Sequence, residues 1–362
     1  MPGALDAALG HAAARRRTES LLAATFAAWG YAEVDVPLLQ PADGGEDFGG
    51  AYRVIDQDGA ILALRPDLTG PIARLVATED EGGPRPRRLF YLATLFRRAA
   101  GDGPREIPQA GAELIGAAGP EADAEALALC LDTLATIGLG ACRIAVGHMG
   151  LMQSLVDGAA GAEAALLRRD FVALARSFRG GPPAALTWRG SVAAALARGG
   201  LPWTEDGAPL RRTLELLRDA GLGQRVDVEP ALCRPGGYYT GLVFEVSHPA
   251  LAQPIGGGGR YDGLLARYGG AEPAVGFALD LDLAASATRA QAGLPVAGGM
   301  LLAPEPGAEA GALRQARELR QAGTRVVLDF AARTTAERAA YAAALGCREV
   351  RAGGERMVLP WA

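Results

Sequence analysis

The order of predicted helices and strands changes near residue 295, and one sheet topology cannot satisfy both sides of that change. Up to that point strand-like segments follow one another with helices between only some of them. Such a succession implies an antiparallel sheet with helices packed on it. Beyond the linker-like Pro295–Gly299, the segments Met300–Ala303, Ala308–Gln321, Thr324–Asp329, Thr335–Leu345 and Met357–Pro360 alternate strand, helix, strand, helix, strand. That alternation implies a small α/β unit with a parallel sheet. The 362 residues therefore divide into a main domain over 1–294 and an appendage over 300–362, two domains being what this length favours.

Within the main domain, Leu5, Leu9, Ala12, Leu22, Phe26 and Trp29 recur at helical spacing up to Gly30, and Tyr31–Pro37 alternates as a strand. Tyr52–Ile55 and Ile61–Leu64, split by Asp58-Gly59, predict a hairpin. A helix over Asp67–Thr78, strands at Leu89–Phe96 and Gln109–Gly116 around a Gly-rich loop at 101–104, a helix over 121–138 and a strand at Arg143–Val146 follow. Residues 150–225 are rich in Ala, Leu and Arg, break at Gly180-Gly181-Pro182-Pro183, and predict a helical insertion. Strand character returns at Tyr238–Val246, a Gly-rich turn at Gly256–Gly259 leads into a helix, and a strand–helix pair spans 274–290.

Composition narrows the chemistry. All 36 basic residues are arginine, so a Schiff-base or P-loop lysine is excluded. Against 41 acidic residues they leave a net charge of −5, which argues against a polybasic nucleic-acid protein. Cys130, Cys142, Cys233 and Cys347 form no CxxC pair, and His11, His148 and His248 cannot complete a zinc site with them. Four reduced thiols in a cytoplasmic protein without metal or other cofactor is the expectation. No apolar run is long enough to cross a membrane. Arg15-Arg16-Arg17 before Leu21–Trp29 mimics a signal peptide, but Glu19 interrupts it, and an amphipathic first helix fits better.

Five clusters place polar residues inside otherwise apolar segments. Leu64-Arg65-Pro66-Asp67-Leu68-Thr69 suits a helix start, with Asp67 or Thr69 as cap. Phe96-Arg97 ends one strand. On the next, Gln109, Gly111 and Glu113 share a face, either solvated or the floor of a ligand site. Arg234-Pro-Gly-Gly-Tyr238-Tyr239-Thr240-Gly241 offers a carboxylate anchor and polar-tipped walls. Gly256–Gly259 with Arg260-Tyr261-Asp262-Gly263 suits a tight turn or a loop that admits a ligand close to the backbone.

Together and in this order, the clusters resemble the core of histidyl-tRNA synthetase, a class II aminoacyl-tRNA synthetase fold, over about residues 1–285. Trp29-Gly-Tyr-Ala-Glu-Val-Asp-Val-Pro37 resembles that fold's dimer-interface motif and Phe96-Arg97 the start of its second motif. The resemblance implies an α+β class II core and a histidine pocket built from Asp67, Thr69, Arg97, Gln109, Glu113, Arg234, Tyr238 and Tyr239. Asp67 stands where the family usually has Glu. The third motif, which closes on an ATP-clamping arginine in synthetases, is represented by Gly276–Leu283, with Leu283 at the arginine position. A glutamate that contacts ATP two residues past the second-motif arginine is replaced by Ala99.

A histidine pocket without adenylation machinery is similar to that of one paralogue family, the regulatory subunits of ATP phosphoribosyltransferase. This resemblance implies a non-catalytic subunit that activates the short catalytic subunit in the first step of histidine biosynthesis and mediates feedback inhibition by L-histidine. It further implies self-association through the first motif and a hetero-oligomer, commonly a hetero-octamer. The appendage resembles a shortened anticodon-binding domain, and no tRNA or membrane partner is expected. The alternative is a divergent histidyl-tRNA synthetase or another synthetase paralogue.

Overall fold

Helix α1 (Leu9–Ala28) stops because Gly30 adopts φ +80°, which lets the Tyr31 N–H donate back to the Phe26 carbonyl at 3.0 Å. Glycine takes this left-handed cap at little cost. The buried face of α1 carries Leu22 and Phe26, and Phe26 stacks on Phe90 of the sheet at 5.1 Å. The computed structural model describes residues 9–41, 51–79, 83–98, 103–197, 201, 203, 205–234, 237–289 and 299–359. The chain divides into two compact units, residues 1–291 and 292–362.

After α1, β1 is limited to Ala32–Glu33. A separate antiparallel sheet follows from β2 (Leu39–Pro41), β3 (Arg53–Ile55) and β4 (Ile61–Leu64). The expected hairpin is present in it, with Val54 opposite Leu62, turning at Gly59 with φ +85°. Next come α2 (Thr69–Glu79), β5 (Arg87–Phe96), β6 (Glu106–Ile115), α3 (Gly119–Thr136) and β7 (Arg143–His148).

The predicted helical insertion is a run of short helices: α4 (Met149–Val156), α5 (Ala162–Leu167), α6 (Phe171–Arg176) and α7 (Ala184–Thr187). It continues through β8 (Gly190–Ser191), α8 (Val192–Leu196) and α9 (Ala208–Asp219). It is not wholly helical, because β8 pairs with β9 (Val226–Val228) at the edge of the main sheet. The unit closes with β10 (Leu242–Ser247), β11 (Gly256–Arg260), β12 (Ala274–Asp280) and α10 (Leu281–Arg289).

Nine strands form the main sheet in the order β1-β5-β6-β12-β11-β10-β7-β9-β8. Its pairs are antiparallel except β1 with β5 and β7 with β9. The expected seven-residue strand at Tyr31–Pro37 contracts to two residues because only Ala32 and Glu33 find partners, at Leu89 and Phe90.

The Gly-rich segment corrects the expectation more sharply. Gly256–Gly259 is neither turn nor loop but a central strand, in register with β12 on one side and β10 on the other. Glycine is disfavoured in strands for entropy alone, so four in a row mark close approach by neighbouring groups. The helix expected after it is a single 3-10 turn at Leu265–Tyr268.

In the second unit, β13 (Gly299–Ala303), α11 (Glu309–Gln321), β14 (Val326–Leu328) and α12 (Thr335–Ala344) follow the expected alternation. The chain then makes an antiparallel pair, β15 (Cys347–Ala352) with β16 (Glu355–Val358), turning at Gly353 and Gly354, both with positive φ. The sheet is therefore mixed, in the order β14-β13-β15-β16. The single terminal strand expected over Met357–Pro360 overlooked β15. The expected linker and the Gly-rich loop fall partly outside the described residues.

Arg260, at the end of β11, locks the sheet to the start of α3. Its buried guanidinium meets Asp123 at 2.8 Å and Asp262 at 2.9 Å, and donates to the carbonyls of Gly119 at 3.1 Å and Ala117 at 3.3 Å. Removing one side of a buried pair leaves an uncompensated charge. Arg260→Met should therefore lower the unfolding free energy by about 3–5 kcal/mol in chemical denaturation. Adding Asp123→Asn should cost less than the sum of the two single changes.

Candidate functional site

The strand registers place Gln109, Gly111 and Glu113 of β6 beside Asp280, Ala278 and Gly276 of β12. On the other flank they meet Ala93, Tyr91 and Leu89 of β5. Continuing the same face across the sheet brings Gly257 and Gly259 of β11, then Glu245 and Val243 of β10. On this face each glycine makes room for one larger side chain. A Cβ at Gly276 would overlap the Glu113 carboxylate, one at Gly111 the Tyr91 phenol, and one at Gly257 the Arg234 guanidinium. At Gly259 it would come within 2.9 Å of the Tyr239 ring. The floor is glycine because the walls lie flat on it.

These groups bound a cavity of about 230 Å³, below the roughly 300–1,000 Å³ of drug-sized ligand sites. Asp67, Thr69, Arg97, Gln109, Glu113, Arg234, Tyr238 and Tyr239 all line it, so the eight residues of the expected histidine set are brought to one place, whereas Arg65, Thr240, Arg260 and Asp262 of the same clusters do not line it. Three further polar residues also line it without belonging to the expected histidine set. Tyr261 lies inside the quoted Gly-rich string, one position past its arginine, which suited either a tight turn or a loop that admits a ligand. Asp280 stands in the Gly276–Leu283 segment, where its charge, with that of Asp282, counts against a bound triphosphate. Tyr91 carries no signal beyond strand periodicity.

Glu113 lines the cavity and is 2% exposed. Thr69 Oγ1 donates to its Oε1 at 2.9 Å, and Tyr261 Oη donates to its Oε2 in a short contact. Burial pushes the Glu113 carboxyl up to about 7, against the lowering effect of the two hydroxyls. Tyr91 Oη donates to Gln109 Oε1 at 3.1 Å. Burial raises the phenols of Tyr91, Tyr238 and Tyr261, so they remain neutral donors. Tyr238 packs on Tyr239 at 4.6 Å and edge-on to Tyr261 at 6.0 Å.

Asp67 has the capping role that its position suggested, accepting the Gly70 N–H at 3.1 Å, and it faces the cavity as well. Arg97 Nε donates to the Pro66 carbonyl at 2.6 Å, which ties β5 to the entry of α2. Arg234 Nη1 donates to the Phe244 carbonyl at 3.1 Å. Asp280 accepts the N–H groups of Asp282 and Leu283, each at 2.9 Å, and so caps α10 with Leu283 against the cavity. Ala99 lies outside the described residues.

The arrangement suits a small zwitterion with a flat polar group. It offers a buried carboxylate and phenols to ring donors, aromatic faces to an apolar body, and two guanidiniums to a carboxylate. No lysine, cysteine or histidine lines the cavity among the described residues. Nor could any cluster of three or more His, Cys, Asp or Glu among them hold a metal ion. All four cysteines are buried and free, and burial raises each thiol. No helix among the described residues is long and apolar enough to cross a membrane.

Comparison with known proteins matches residues 3–283 to the histidyl-tRNA synthetase family model. An ATP phosphoribosyltransferase regulatory subunit of Moorella thermoacetica is 40% identical, over 92% of this chain and 93% of the relative. One from Symbiobacterium thermophilum is 38% identical, over 96% and 95%. A crystal structure of an ATP phosphoribosyltransferase regulatory subunit/histidyl-tRNA synthetase from Bacillus halodurans superposes with a TM-score of 0.79 at 28% identity. That match covers 97% of this chain and 96% of the other.

The Glu113 carboxyl titrates higher in the folded chain, at about 7, than the ordinary 4.5. Folding thus favours its protonated form. The cost of keeping it ionised is absent below pH 4.5, grows as pH rises, and is complete above pH 7. Glu113→Gln should raise the stability of the ligand-free protein at pH 8, by up to about 3 kcal/mol, and have little effect at pH 4.5. Denaturant melts at the two pH values check this. Gly276→Ala should destabilise at both, because its Cβ takes the carboxylate's place.

Proposed function

The chain belongs to the family of ATP phosphoribosyltransferase regulatory subunits, built on the histidyl-tRNA synthetase fold, and from that premise we propose that it activates a short catalytic phosphoribosyltransferase and senses L-histidine in the Glu113 cavity. One observation carries the reading. An amino-acid-sized cavity has a buried carboxylate flanked by hydroxyls at one end and the guanidiniums of Arg97 and Arg234 along its wall. Glu113 with a tyrosine grips the imidazole nitrogens, Asp67 holds the α-amino group, and an arginine holds the α-carboxylate.

Holding histidine without activating it is the second part of the proposal. Adenylation needs cationic groups on the triphosphate as charge builds. Leu283 lines the wall where the synthetase resemblance puts an arginine, and the Asp280 carboxylate stands beside it. An alkyl group and a carboxylate there favour an empty nucleotide position.

Feedback then follows from linkage. Histidine bound preferentially to one arrangement of the complex shifts the population toward it, and couplings of about 1–3 kcal/mol suffice. We place the chain in a hetero-oligomer, commonly a hetero-octamer, self-associated through the Trp29–Pro37 segment, with no tRNA partner for the second unit. A cytoplasmic location accords with this role.

Mixing the chain with the short phosphoribosyltransferase should produce phosphoribosyl-ATP that neither makes alone, and L-histidine should suppress it. Activation that ignores histidine would move the sensor elsewhere. Histidine-dependent ATP–pyrophosphate exchange by the chain alone would instead favour a synthetase. Glu113→Ala should weaken histidine binding at least tenfold by calorimetry, since hydrogen bonds to charged groups contribute about 1.5–3 kcal/mol.

A further inference from the structure

On the ligand face of the main sheet, Glu245 of β10 lies opposite Gly257 of β11, the glycine against which Arg234 is laid. Glu245 faces a second cavity of about 280 Å³ that borders the first at Pro254. Two guanidiniums compete for its carboxylate. Arg169 Nη2 donates to Oε2 at 2.5 Å, whereas Arg234 Nη1 stands 3.9 Å from Oε1, beyond hydrogen-bond reach. The Nε of Arg234 is buried without a hydrogen-bond partner. A cation in the wall of the first cavity thus keeps donor capacity in reserve, although a carboxylate stands next to it.

Arg169 is also the one non-glycine residue with a positive φ, +54°, among the described residues. It follows α5, where Arg169 N–H donates to the Leu166 carbonyl at 2.8 Å and Asp170 N–H to the Ala165 carbonyl at 2.9 Å. This is the left-handed cap that glycine fills most readily. An arginine is strained there, and what it adds over glycine is a guanidinium on Glu245.

We infer that Arg169 is a positioning residue of the amino-acid site: by occupying Glu245 it holds that carboxylate off Arg234 and leaves Arg234 available for the carboxylate of the ligand. The inference rests on the reading of the Glu113 cavity as an amino-acid site. Arg169 joins α5 to α6, whose buried Leu166 and Leu174 share one apolar cluster with Cys233 and Tyr239, on either side of Arg234. A displacement of these helices therefore changes ligand affinity without touching the cavity, a coupling that works equally in reverse.

Calorimetric titration of the full chain with L-histidine and with histamine, which lacks the carboxylate, tests this. Arg169→Gly relieves the positive φ, so the fold is retained. It should weaken L-histidine about fivefold and leave histamine unchanged. Glu245→Gln should bind L-histidine at least as tightly as the parent, and adding Arg169→Gly to it should then have no effect. The assignment is overturned if Arg169→Gly binds L-histidine like the parent, if its loss persists beside Glu245→Gln, or if histamine weakens equally. A parent chain that binds neither compound overturns the reading of the cavity itself, and this inference with it.

Discussion

A carboxylate removed from water organises the site. Glu113 is 2% exposed, and a buried charge persists only where donors replace its hydration. Those donors come from distant parts of the chain, with Thr69 at the start of α2 and Tyr261 just past β11. To keep them in reach, α2, β6, β11 and β12 must all be in register. Gly276 belongs to the same requirement, because any side chain there would displace the carboxylate. The cavity proposed to hold histidine and the packing of this part of the sheet are one arrangement seen from two sides.

The glycines extend that logic across the sheet. Gly111, Gly257 and Gly259 carry Tyr91, Arg234 and Tyr239 as Gly276 carries Glu113. Side chains that lie flat across neighbouring strands form a shallow, polar-lined cavity the size of an amino acid. Because the same face continues to Glu245, the ionic contacts of the helical segment adjoin those of the pocket. This adjacency is what the proposed coupling of the helical segment to the cavity rests on.

Local patterns in the sequence were sufficient for most elements. Periodicity located α1, the hairpin of β3 and β4, and strands β5 and β6 to within a few residues, because those signals arise from each segment's own burial. It failed where pairing partners decide the outcome. Tyr31–Pro37 alternates like a full strand, yet two residues pair. Gly256–Gly259 has the composition of a turn, yet it is a central strand, since Gly257 and Gly259 lie against Arg234 and Tyr239 while Gly256 and Gly258 lie against the backbone of β12. The β15 strand goes unread because charged residues occupy three of the six positions of Cys347–Ala352.

The sequence by itself determined which side chains could form a histidine site and which chemistry was excluded, because residue type sets charge, hydrogen-bonding capacity and nucleophilicity. It also carried the order of motifs that identified the fold. Tertiary structure decided that all eight singled-out residues meet in one cavity and that Tyr261, Tyr91 and Asp280 join them. It decided, too, that Thr69 and Tyr261 donate to Glu113, and that Arg169 pairs with Glu245. Burial and distance are properties of the pairing of remote strands, and no local pattern of residues specifies them.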